Sequence, residues 1–172
     1  MRKLNALAII LLSFACQTTR QDPSTLSEFY EQSFDSELQN YPQQMSYLGI
    51  KKDYDRLDDL SEKSQEQAYQ RLLKRQRAFD KYKASQLSSQ DMLSYKLYKK
   101  TLESEIADYK YRHHNYPVNQ MFGLQSHLPS FMINIHQVST LSDAEAYISR
   151  LQGVGKQFEQ LIEGLKLREK KV

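Results

Sequence analysis

Four histidines, one cysteine and a scatter of acids are the residues in this chain that could carry chemistry. A protein zinc site uses histidines four apart on a helix, or cysteine and histidine at short fixed offsets. His113, His114, His127 and His136 follow neither pattern, and His-Glu-x-x-His is absent. His113 and His114 are adjacent, so their side chains diverge. They read as cations at a helix C-terminus, and the other two as loop or groove residues. No metal site is expected. None of the serines sits in Gly-x-Ser-x-Gly, so no nucleophilic triad can be assembled. Gly153-Val154-Gly155 is too short for a phosphate loop and falls within helical periodicity. Asp58 and Asp59 read as solvated loop charges. No catalytic residue and no cofactor is assigned.

One stretch mixes large apolar residues with amides and a histidine. Tyr116, Asn119, Gln120 and His127 in YPVNQMFGLQSH could line a binding groove. The same polar groups could instead cap neighbouring helices and satisfy loop backbone, which is the commoner use.

The cysteine, Cys16, closes an apolar run that follows Met1-Arg2-Lys3. That run is too short to span a bilayer, which takes about 20 apolar residues. A basic start, a short apolar core and a small residue, Ala15, describe a secretory signal peptide over residues 1–15. Residues 16–23 are polar and read as a tether. Cys16 stands where bacterial lipoproteins carry their lipidated cysteine. Ala15 and Leu11-Leu12 match that lipobox, whereas Ser13 and Phe14 depart from it. Two or more acyl chains there would hold the protein stably on a membrane. Gln17, rather than Asp, follows the cysteine, so by likeness to lipoproteins the outer membrane facing the periplasm is the expected location.

Arg2 and Lys3 leave with the signal segment, so 24 basic residues become 22 against 21 acidic. Positive and negative side chains alternate, as in Arg168-Glu169-Lys170. No clustered positive surface remains for nucleic acid. Without Cys16 there is no further cysteine for a disulfide, so packing must hold the domain.

The elements that would position these residues are helical. Apolar residues recur every three or four positions in four stretches, and almost nothing alternates like a strand. A first helix is predicted over residues 24–40, on the stripe Leu26, Phe29, Tyr30, Phe34, Leu38, with Pro42 just past its end. Met45, Tyr47, Leu48 and Ile50 make an apolar turn closed by Gly49, and residues 51–60 read as irregular. A second helix starts near Ser61 or Ser64 and reaches Ala84. A third runs from Ser89 to Arg112, with Ser88 and Asp91 as its cap. The short link between them predicts an antiparallel hairpin. Residues 115–125 read as an ordered, non-helical crossing, and Pro129 could open a short helix over 130–138. A last helix is expected behind a capping box of Ser142 and Glu145 with Leu141 as staple. Ala144, Ile148, Leu151, Phe158, Leu161, Ile162 and Leu165 form its apolar face. The fold class is therefore all-α, an antiparallel bundle of about four main helices with an ordered crossing.

Several pieces recur in a familiar order: Tyr47-Leu48-Gly49, Tyr54-Asp55-Arg56-Leu57-Asp58-Asp59-Leu60-Ser61, Leu87-Ser88-Ser89-Gln90-Asp91, Tyr116-Pro117-Val118-Asn119-Gln120, Leu128-Pro129 and Asp143-Ala144-Glu145-Ala146-Tyr147-Ile148-Ser149-Arg150-Leu151. This series resembles the N-terminal part of the bacterial domain-of-unknown-function 885 family, which includes many lipoproteins. Family members are longer, mostly helical, and similar to zincin-type metallopeptidases. The resemblance places their His-Glu-x-x-His helix downstream of the matched region. Zinc is thus expected only in full-length relatives, and no ligand or catalytic Glu carries over to this chain. Residues 24–172 would be the non-catalytic helical half that walls a substrate cleft. The expected partners are the membrane, through the lipid, and a missing C-terminal half or a peptide substrate. The alternative is a stand-alone periplasmic helical lipoprotein that binds a protein partner.

Overall fold

The computed structural model describes residues 25–171. The signal segment, the tether and Cys16 lie outside the described residues. Among those described there are six α-helices and no strand: α1 (Leu26–Leu38), α2 (Pro42–Tyr47), α3 (Glu62–Phe79), α4 (Ser89–Asp108), α5 (Leu124–Asn134) and α6 (Leu141–Glu169).

Side-chain caps set the helix starts. Thr25, not Ser24, caps α1 through a capping box with Glu28. Ser61 accepts from the Ser64 amide to open α3, and Ser88 accepts from the Asp91 amide to open α4. α6 opens on Thr140 boxed with Asp143, two residues before the expected Ser142 and Glu145. Leu141 is then the first helical residue and is 78% exposed, so it is not a staple. Pro42 lies just past the end of α1 as expected, and it also opens α2, at the position where the lost N–H has no partner to miss. Pro129 lies inside α5 rather than at its start. Gly123 makes that possible by turning the chain into α5 earlier, at φ 143°. A Cβ at Gly123 would sit 3.0 Å from both the Pro117 carbonyl oxygen and Val118 Cα.

Two separate apolar clusters hold the helices. The first joins Leu26 and Phe29 of α1, Leu72 and Phe79 of α3 and Leu102 of α4. The α3–α4 pair is the expected antiparallel hairpin: Phe79 near the end of α3 stacks on Tyr95 near the start of α4. At the other end Tyr69 stacks on Tyr109 at 3.7 Å. Phe34 is 59% exposed and does not join this core. The second cluster joins Leu128, Phe131 and Met132 of α5 to Tyr147, Val154 and Phe158 of α6, with Leu57 from the irregular segment. Residues 112–123 cross without helix between the two; the crossing expected over 115–125 is present but ends two residues earlier, where α5 begins.

Helix α6 is rotated from its expected orientation: of the expected apolar face, Phe158 packs in the second cluster and Ala144 and Leu161 are half-buried, but the rest is not core. Ile148, Leu151, Ile162 and Leu165, read as core, are exposed, whereas Asp143, Ala146, Arg150 and Gln157 are buried. Gly153 and Gly155 do not interrupt the helix.

Candidate functional site

Asp143, Arg150 and Gln157 stand seven residues apart on α6, so they share one helix face. That face meets residues 42–60. Arg150 is fully buried, and its guanidinium donates to four acceptors: the Arg56 carbonyl at 2.9 Å, the Pro42 carbonyl at 3.3 Å, Ser46 Oγ at 2.8 Å and His136 Nδ1 at 2.8 Å. Its plane lies over Tyr54 at 4.7 Å and Phe131 at 5.0 Å. Among the described residues no carboxylate bonds it directly. Asp58 and Asp55 supply longer-range negative charge against a burial that lowers its pKa. One turn pair further on, Gln157 donates to Gln43 Oε1 and the Asp58 carbonyl. Asp58 is partly buried, not a freely solvated charge. Its carboxylate accepts from the Gln43 amide at the start of α2, and burial pushes its pKa up.

Because Arg150 only donates, His136 must accept at Nδ1 and carry its proton on Nε2, which donates to the Asp143 carbonyl at 3.1 Å. Its ring stacks on Tyr54 at 4.2 Å. Both ring nitrogens are therefore occupied. Asp143 accepts from Lys51 Nζ at 2.8 Å and from the Ser139 and Thr140 amides. The Lys51 bond leads the groups that hold its carboxyl far below the usual carboxylate range.

A second polar junction gathers the start of α3, the start of the crossing and the end of α6. His113 is buried, with Nε2 3.2 Å from Glu62 Oε1 but neither ring nitrogen hydrogen-bonded. Burial outweighs Glu62, and Lys171, Arg112 and Arg168 add to it, so the His113 pKa falls. The expected pair of cations is thus not formed at His113. His136 is lowered too, first by burial. Both histidines bind protons less readily folded than unfolded, where histidine titrates near about 6.5. Stability is then full above that pH and declines as pH falls below it, because the unfolded chain takes up more protons. The melting temperature is expected to be lower at pH 5.5 than at pH 7.5, with the gap narrowed by His113→Gln and His136→Gln together. Equal gaps in the variant and the parent would show that other groups set the dependence.

The four groove candidates are all exposed, Tyr116 at 88%. Asn119 works locally: its side-chain oxygen accepts from the Met121 and Phe122 amides at 2.8 and 2.9 Å. Gln125 donates to the Asn119 and Phe122 carbonyls. The amides in this stretch thus satisfy loop backbone. His127 packs its ring near Phe122.

Among the described residues no three His, Cys, Asp or Glu side chains gather closely enough to hold a metal ion. Of the two buried histidines, His136 is bonded at both ring nitrogens and His113 faces a single carboxylate, so these two do not make a zinc site. No helix among the described residues is long and apolar enough to cross a membrane.

The site missed at sequence level is the Asp143–Arg150–Gln157 face. Its signal was available: three polar residues at a seven-residue interval inside a long periodic helix. The class defined is an all-helical protein with two separate apolar clusters, whose long last helix is held against residues 42–60 by a buried arginine. The chain belongs to the family described as bacterial protein of unknown function (DUF885), which matches residues 42–172. That match begins at Pro42 and takes in every residue that accepts from Arg150, leaving α1 outside. No curated protein and no solved structure matches the chain.

Proposed function

We propose that the helical region is the non-catalytic part of a secreted, lipid-anchored, zincin-like hydrolase, inactive by itself. Membership of the DUF885 family supports the reading, and one observation carries it. The inner face of α6 buries Asp143, Arg150 and Gln157 beside the apolar Tyr147, Val154 and Phe158, while its outer side presents Leu141, Ile148, Leu151, Ile162 and Leu165 to solvent. A run of large apolar residues along an exposed helix marks an interaction face. The occupant fitting the family resemblance is the zinc-binding half of the same domain. α6 then serves as a shared wall: the Arg150 clasp fixes its position from inside, and the apolar stripe docks the catalytic half from outside. Cys16 holds the assembly at the outer membrane on the periplasmic side.

Purified protein with added zinc is expected to cleave no peptide, and Cys16→Ser is expected to move it from the membrane to the soluble fraction. Zinc-dependent cleavage by this chain alone would overturn the scaffold reading. An unchanged fractionation of the Cys16 variant would remove the lipid from it.

A further inference from the structure

Helix α3 gives Leu72 and Phe79 to the first apolar cluster, and its face around Ala68 belongs to neither cluster. Two adjoining cavities of about 400 and 410 Å³ run along it and share Tyr41, Gln65, Ala68 and Arg112. The first is the more closely framed by α6. Its walls are mostly apolar, from Tyr41, Leu60, Ala68, Pro117 and Leu161, and Arg112 and Arg168 both line it.

Arg168 is the unusual member. It is fixed by three neutral oxygens: Asn115 Oδ1 at 3.1 Å, the Gly164 carbonyl at 2.9 Å and the Arg112 carbonyl at 3.3 Å. Among the described residues no carboxylate comes within ion-pair distance of it, whereas Arg71 and Arg112 each have one and Arg75 has two. A guanidinium carries five N–H donors, so Arg168 keeps two beyond these three. Arg112 donates to Glu62 and to the Tyr109 carbonyl, again through three donors. Lys171 adds positive charge nearby, as its effect on His113 shows. The one acid lining the cavity, Asp59, is taken up by the Ser61 amide and Gln160 Nε2. A groove of this size, with a mostly apolar exposed wall and two fixed guanidiniums among its polar groups, has room for a small molecule. Of the two guanidiniums, Arg112 is paired with Glu62, and Arg168 has no carboxylate counterion among the described residues.

We propose that this cavity binds a small monocarboxylate with an apolar body. The carboxylate sits against Arg168, with Arg112 beside it, and the body packs against Leu60, Ala68, Pro117 and Leu161. Planar guanidinium donors match a carboxylate in two parallel bonds, which a lysine could not do. Asp59 disfavours a second negative charge at the far wall. The body is either aliphatic or aromatic, and the cavity accepts both.

The test is calorimetric titration of the purified full chain with octanoate and with 3-phenylpropanoate, each against its neutral amide and against acetate. At least one acid is expected to bind at least about tenfold more tightly than its amide and than acetate, in line with a charge-assisted bond. Tighter octanoate binding assigns an aliphatic ligand, and tighter 3-phenylpropanoate an aromatic one. Arg168→Gln is expected to bring the acid down to the level of its amide, with Arg168→Lys in between. Ala68→Leu fills the cavity from α3 and is expected to abolish binding of acid and amide alike while α6 keeps its docking. The proposal is overturned if neither acid binds, if the amides bind equally well, or if Arg168→Gln and Ala68→Leu leave the affinity unchanged.

Discussion

Replacing Arg150 by alanine is expected to lower the unfolding free energy by about 3–5 kcal/mol, enough to reduce the melting temperature by roughly 10 °C. The side chain is fully buried and is the donor for Arg56, Pro42, Ser46 and His136. Alanine leaves these four acceptors without that donor, and each buried group so stranded costs about 1–3 kcal/mol. Some of the loss is offset because the unfolded arginine was solvated and the variant no longer buries a charge. A cavity between Tyr54 and Phe131 adds to the cost, since both rings pack on the guanidinium. Arg150→Met separates the two contributions. It keeps most of the volume but none of the donors, so it is expected to fall between alanine and the parent. Denaturant unfolding followed by circular dichroism measures all three. A loss below about 1 kcal/mol for alanine would mean that water replaces the guanidinium and that the clasp is not what fixes α6.

The reasons for what the sequence made legible are local. The α3–α4 hairpin could be read because Leu72, Phe79, Tyr95 and Leu102 repeat at helical spacing on either side of a polar link. Helix caps are short-range hydrogen bonds, so the sequence shows Ser88 with Asp91 directly, while at α6 the Ser142 and Glu145 pair competes with the true cap, Thr140 with Asp143. Pro129 misled for a related reason. It forbids one amide hydrogen bond, but Gly123 had already started α5 a turn earlier. The orientation of α6 was not legible, because periodicity reports which residues share a face and not which face is buried. Its apolar stripe was the natural core. The buried face holds Arg150 because the partner surface, residues 42–60, presents the Arg56 carbonyl from irregular backbone and the Pro42 carbonyl and Ser46 hydroxyl from α2. A long-range match between a helix and such acceptors leaves no local pattern. The histidines failed for the same cause: His113 and His136 are set by what covers them, from sequence positions far away.

Phe79→Ala is expected to cost about 3–5 kcal/mol through a different part of the molecule. Its ring is fully buried and packs on Phe29 at 5.8 Å, Tyr95 at 4.8 Å and Tyr98 at 5.1 Å, so one residue touches α1 and α4 from α3. Truncation removes aromatic area and leaves rings that cannot close the gap without moving helices. Phe79 and Arg150 share no partner: one belongs to the α1–α3–α4 cluster, the other to the joint of α6 with residues 42–60. Independent sites add to within about 0.5 kcal/mol. The milder pair Phe79→Leu and Arg150→Met, which keeps enough folded protein to measure, is therefore expected to sum in one unfolding transition. A coupling above about 1 kcal/mol would mean that the two clusters respond as one packed body, and that α3 transmits strain across the cavity along its uncovered face. Two resolved transitions would mean the reverse, that the arginine clasp docks two bodies able to unfold separately.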